Sequence, residues 1–222
     1  MKKFISLVLL IVSFSILMLG CSQKKEISAE QTAQALYDLY IFGDGKESKE
    51  IGLTDDEINF ILDQQKINEI NNINTNFINA GLPISDKELE NLYELQKDSL
   101  KKLTVDISIE EISENKITLK LSTNYIDIQE LDSKAALEAI SAAENLTNDI
   151  SELSKSDLSK LYIEKLNDNL KSVEPSSQML EATFTFTKEK FLIDNKAVDV
   201  WFPEEPEIFA QTLVNMAVGI EY

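Results

Sequence analysis

The chain has 222 residues, 43% of them hydrophobic and 27% charged, with only 6 Gly and 4 Pro, a globular composition able to bury a core. Its formal charge of −18 reflects 39 acidic residues against 21 basic ones, a surface that repels nucleic acid. Histidine is absent and every basic residue is lysine. That removes the usual general base, the commonest zinc ligand and the guanidinium fork for phosphate.

In chain order, Lys2 and Lys3 come first, followed by an apolar run from Phe4 to Leu19 broken only by Ser6, Ser13 and Ser15. The run falls short of the about 20 residues needed to span a bilayer core, and it matches the apolar region of an export signal. It ends in Leu17-Met18-Leu19-Gly20-Cys21, and Cys21 is the only cysteine. This stretch resembles a bacterial lipobox, in which the small residue precedes the cleavage point and the cysteine takes the lipid. The resemblance implies cleavage between Gly20 and Cys21, loss of residues 1–20 as a signal peptide, and palmitate-type acylation of Cys21. Residues 21–27 then form a tether, and a single domain covers 28–222. The expected location is the cell membrane, lipid-anchored and facing outside the cytoplasm. A plain membrane anchor with an incidental cysteine is the alternative.

Ser28-Ala29-Glu30-Gln31 has capping-box spacing and opens a helix with Leu36, Tyr37 and Tyr40 on one face, broken at Gly43-Asp44-Gly45. Thr54 to Glu57 repeats the spacing and begins a second helix, which Gly81 and Pro83 end. Its stretch from Asn68 to Asn79 is rich in asparagine, which predicts a bend or a polar exposed face. Ser85 starts a third helix with Leu89, Leu92 and Tyr93 inward. The period then falls to two. Val105, Ile107 and Ile109, then Ile117, Leu119 and Leu121, predict a hairpin around Glu114-Asn115 with one buried face.

Helical spacing returns from Asp132, with Leu137, Ile140, Leu146 and Ile150 as its apolar positions, and again from Ser154 until Pro175. Leu180, Ala182, Phe184 and Phe186 alternate with polar residues as a third strand. A fourth comes from Phe191–Ile193, from Ala197–Phe202, or from both across Asp194-Asn195. Pro203 and Pro206 lead into a last helix with Ile208, Phe209 and Leu213. Residues 89–103 and 158–173 share Leu-x-x-Leu-Tyr, and each precedes a hairpin, as two ordinary amphipathic helices or an internal repeat would. The expected fold class is α+β, an antiparallel sheet of about four strands in two hairpins packed against several helices.

The lipobox, the "ALYDLYIFGDG" helix, the hairpin end "TNYIDI" and the later Trp201-Phe202-Pro203 together resemble the uncharacterised lipoproteins of low-GC Gram-positive bacteria grouped as a domain of unknown function. The resemblance implies a cystatin-like or NTF2-like architecture, here with a helical insertion at 132–173, and carries over no catalytic residues.

The chemistry left open is narrow. No glycine-rich phosphate loop occurs, and no Asp-x-Asp-x-Asp-Gly loop for calcium, so neither a cofactor nor a metal is expected. Acidic clusters at Asp55-Asp56-Glu57 and Glu204-Glu205-Glu207 sit at helix starts, where the helix dipole favours them. A carboxylate pair acting on envelope glycans is the one enzymatic route that needs neither His nor Cys. Tyr37, Tyr40, Tyr125, Phe184, Phe186 and Trp201 are candidates to line a ligand cavity on the concave face of the sheet, or simply to fill the core. The leading expectation is a non-catalytic envelope lipoprotein binding an apolar ligand or an envelope protein. A glycan hydrolase and a purely structural lipoprotein are the alternatives.

Overall fold

A computed structural model of the chain describes residues 26–220 apart from Asn148 and Asp194. The expected cleavage point and Cys21 lie outside the described residues. Three N-termini form as their cap sequences require. Ser28 caps α1 (Ala29–Tyr37), Thr54 caps α2 (Asp55–Ala80) and Ser85 caps α3 (Asp86–Leu100). In each, the cap hydroxyl accepts from the third helical backbone N–H and the Gln or Glu there reaches back to the cap N–H. A π-helical turn, Asp38–Phe42, prolongs α1 until Gly43 turns left-handed at φ 66°. Glycine suits that site because it takes the left-handed conformation without the steric cost a Cβ brings. The asparagine-rich part of α2 continues as helix, and its Asn71, Asn72, Asn76 and Asn79 face solvent.

β2 (Val105–Ile112) and β3 (Lys116–Asn124) form the first hairpin, with a register shift between Ile109 and Glu111. α4 runs over Ile128–Leu146, capped by Asp127, and so starts four residues before the expected Asp132. α5 (Lys155–Ser172) follows, capped by Ser154. Then come β4 (Met179–Ile193), β5 (Lys196–Pro203) and α6 (Pro206–Ala217). Both stretches considered for the fourth strand are extended: Phe191–Ile193 completes β4 and Ala197–Phe202 belongs to β5.

The class is α+β, as expected, but the sheet differs from four antiparallel strands. It has five, in the order β1-β5-β4-β3-β2, because Glu26–Ile27 forms an edge strand, β1, parallel to β5. A two-residue strand carries no periodicity, so only its docking beside Asp199 and Val200 reveals it.

β4 is 15 residues long and pairs with β3 through its first part and β5 through its last. Along the first part the less exposed residues are even-numbered, Leu180, Ala182, Phe184 and Phe186. Further on they are Thr187, Phe191 and Ile193. Right-handed twist accumulated over so long a strand rotates the core-facing side, so burial changes parity without a bulge in β4.

The apolar positions expected for the alanine-rich helix are corrected. Leu137, Ile140 and Leu146 are 69%, 50% and 68% exposed, and Ile150 belongs to a separate 3₁₀ turn. α4 instead buries Leu131, Ala135, Ala139 and Ala143. Small side chains let α4 lie close to α5, where Asn169 Nδ2 donates to Glu138 at 3.1 Å and the Tyr162 hydroxyl donates to Asp132.

Candidate functional site

The six aromatic candidates are dispersed by the fold. Tyr37 is fully buried at the end of α1, its ring edge-on to Phe42 at 5.3 Å. Its hydroxyl lies 2.7 Å from Thr123 Oγ1. Because the Thr123 hydroxyl donates to the carbonyl of Thr104 or Asn124, the phenol is the donor in that pair. Tyr40 sits on the π-helical turn, whose carbonyl accepts from Gln65. Tyr125 follows β3, packs on Gly219 and donates to Gln178 at 3.3 Å. Trp201 is on β5 near the sheet edge, 6% exposed, and its indole N–H donates to Glu26 at 2.9 Å. Phe184 and Phe186 share a location, both packed against Phe209 of α6. Tyr37, Phe186 and Trp201 are core residues, and among the described residues no single cavity collects all six rings.

A groove does form at one of them. It holds about 310 Å³ between β4 and α6 and is floored by Phe184, Phe209 and Ile208. Thr183, Thr185, Glu204 and Thr212 supply the polar rim. Its geometry comes from the connection between β5 and α6. Pro203 ends the strand, the Glu204 N–H donates to Thr185 O at 2.9 Å, and Pro206 starts the helix in its first turn. This short link folds α6 back over β4. Lys116 Nζ lies 2.9 Å from a Glu204 carboxylate oxygen and compensates its charge at the rim. Ile208 and Phe209 read in the sequence only as apolar positions of a helix. The two prolines flanking Glu204-Glu205 were the available signal that the helix must reverse onto the sheet.

A mostly apolar floor with a threonine rim suits a small apolar or amphipathic molecule. Among the described residues, no three Asp, Glu, His or Cys side chains converge to hold a metal.

Buried phenols make the region around α1 sensitive to alkali. Burial pushes Tyr37 up to about 12, against the opposing Thr123 hydrogen bond, and burial also pushes Tyr40 up to about 12. Between the ordinary phenol value of 10.0 and about 12, the unfolded chain gives up protons that the folded chain retains. Stability is therefore intact below pH 10 and falls as pH rises through that window. Each ring contributes on the order of 2–3 kcal/mol. Urea midpoints should be level from pH 7 to 9 and drop steeply by pH 12, with a shallower drop in Tyr37→Phe. A level midpoint up to pH 12 would contradict the burial of these hydroxyls.

No protein-family profile matches the chain, and no curated protein matches it. Among solved structures, the fold is similar to that of YcdA from Bacillus subtilis, described as a lipoprotein. The TM-score is 0.60 at 18% sequence identity, over 86% of this chain and 56% of that one. The chain thus spans little more than half the length of that protein. What the two share is the fold.

Proposed function

We propose that this protein is a lipid-anchored, extracytoplasmic lipoprotein of a Gram-positive type cell envelope, and that it binds a small apolar ligand in the β4–α6 groove without catalysis. The observation that carries the anchor is the stretch Leu17-Met18-Leu19-Gly20-Cys21, which ends five residues before Glu26, the first residue of β1. The lipoprotein description of YcdA, a protein of the same fold, supports it. Helices packed on one five-stranded sheet support the α+β class, and we keep the cystatin-like or NTF2-like comparison as part of this proposal, with the parallel edge strand β1 and the α4–α5 pair as additions to it. A non-catalytic role is supported by the rim of the groove, where Lys116 pairs with Glu204 and so occupies one of the two carboxylates, Glu204 and Glu205, that a glycan-cleaving pair would need. Histidine is absent, and the single cysteine, Cys21, carries the lipid in this reading.

Mass spectrometry of the native product tests the anchor. The expected mature chain begins at Cys21 and carries acyl mass there; an intact, unmodified N-terminus would refute it. For the groove, the probe is N-phenyl-1-naphthylamine, a neutral dye that the acidic surface does not repel. Saturable fluorescence enhancement is expected, weakened at least about tenfold when Ala182→Trp, on the same face of β4 as Phe184, fills the groove, the equivalent of about 1.4 kcal/mol. Enhancement indifferent to that substitution would place binding elsewhere.

A further inference from the structure

β5 is shorter than β4, and part of β4 is left without a neighbour on one side. β5 pairs with β4 only from Phe186 to Ile193, with Phe186 opposite Pro203. The last rung on that side is the Glu204 N–H donating to Thr185 O at 2.9 Å, after which Pro206 takes the chain into α6. Among the described residues, β4 from Met179 to Phe184 is paired on its β3 side alone. This open edge runs for about 17 Å. Backbone groups point alternately to the two sides of an antiparallel strand. Glu181 and Thr183, in step with Thr185, therefore turn their N–H and C=O groups to the open side. Both residues are exposed, and Met179 is 39% exposed. α6 does not close the edge. It starts beside Thr185 and crosses to the end of β3, where the Ile126 N–H donates to Ala217 O at 3.0 Å.

The groove lies along this edge. Ala182 and Phe184 turn towards α6, and Ile208 and Phe209 form the facing wall. A row of open backbone groups beside an apolar groove is what an extended chain uses to join a sheet. Main-chain bonds hold such a chain, and its alternate side chains fill the groove. The charges say which chain fits. Glu110, Glu181, Glu204 and Glu205 stand at this edge against Lys116 and Lys120, while Lys188, further along β4, is paired with Glu26. The local excess is negative, as it is over the whole chain, so a cationic partner is favoured and an acidic one repelled.

We propose that Met179–Phe184 receives an extended peptide as an added antiparallel strand, with alternate apolar side chains in the β4–α6 groove and flanking lysine or arginine residues beside the rim carboxylates. This rests on the reading of the groove as an apolar binding site and assigns the apolar groups to a peptide. The register follows from β5. Pro203, which has no N–H, stands opposite Phe186, where the two strands exchange no rung. Continuing that alternation, peptide residues opposite Ala182 and Phe184 send their side chains into the groove and their N–H groups away from β4. Residues opposite Glu181 and Thr183 send their N–H groups onto β4.

The mature protein in phosphatidylcholine nanodiscs, with empty nanodiscs as the blank, provides the test. The probe is a fluorescent peptide, Lys-Val-Thr-Val-Thr-Val-Lys, whose valines suit the groove and whose threonines then face Glu181 and Thr183. Its anisotropy should rise saturably with protein, and Ala182→Trp should weaken binding. Methylating both threonine nitrogens should weaken it at least about tenfold, because carbonyls of β4 lose their donors. Methylating the first two valine nitrogens instead should leave it nearly unchanged. Thr183→Pro removes a donor from the open edge and none from the β3 ladder, so it should also weaken the peptide, with thermal unfolding as the check on the fold. If that variant does not fold, the methylated peptides decide on the intact protein. Equal affinity for the two methylated peptides overturns strand addition. A protein that binds N-phenyl-1-naphthylamine but not the peptide overturns the peptide assignment and leaves the groove standing. Dimerisation that excludes the peptide overturns it in favour of a second copy on the edge. Absence of both dye and peptide binding overturns the groove, and the peptide with it.

Discussion

A product that begins at Ser22, exported behind a cleavable leader without a lipobox, should appear entirely in the soluble fraction, while the product of the full sequence sediments with membranes. The expected change is from nearly all bound to nearly all free. Each acyl CH₂ buried contributes about 0.8 kcal/mol; one chain gives marginal retention and a second makes it stable. Nothing in the body replaces this. Among the described residues, no helix is long and apolar enough to cross a membrane. With a net charge of −18, electrostatic attraction to anionic lipid is not expected to substitute for the anchor. The shortened product should also unfold at the same temperature, because the buried core of the described residues lies between Ile27 and Ala217. Membrane retention of the Ser22 product would show that the body itself binds lipid, and the role given to Cys21 would fail.

Replacing Phe209 by Ala should cost about 3–5 kcal/mol, a large part of a single domain's stability. Phe209 is 1% exposed and is the side chain through which α6 holds β4. Its ring lies 4.6 Å from Phe184 and 5.7 Å from Phe186, edge-to-face with both. Truncation leaves a cavity that two rigid strand residues cannot close, and it removes the floor of the groove. Urea denaturation should show the loss, and binding of N-phenyl-1-naphthylamine should disappear under conditions where the variant is still folded. Ile208→Ala is the control. Ile208 is 55% exposed, so this change should weaken the dye far more than it weakens the fold. A cost below about 1 kcal/mol for Phe209→Ala would mean that α6 is held by other contacts.

The features legible in the sequence are those governed by neighbours in the chain. Ser28, Thr54 and Ser85 cap helices because the groups that complete each box lie three residues on. Gly43 and Gly81 end helices because few other residues adopt a left-handed φ at low cost. Period-two alternation in 105–121 and 180–186 marks strands, and it held wherever twist had not yet turned the strand over. The chemical restriction was equally local, since a chain without His or Arg lacks their chemistry in any fold.

Other features depended on which surfaces met. The face α4 buries was misread because Leu137 and Ile140 look more apolar than Ala135 and Ala139, yet close approach to α5 selects the smaller side chains. The switch of burial parity along β4 is a cumulative twist that no short window contains. The six aromatic candidates carry no mark separating core from cavity, and only the return of α6 over β4 left Phe184 beside open space while enclosing Tyr37 and Phe186. The strand β1 is two residues whose extended state exists because β5 offers an edge. Composition and local spacing thus decided the helices, the hairpins and the excluded chemistries. Long-range packing decided the sheet order, the groove and the edge strand β1, because each needs residues far apart in sequence to be brought together.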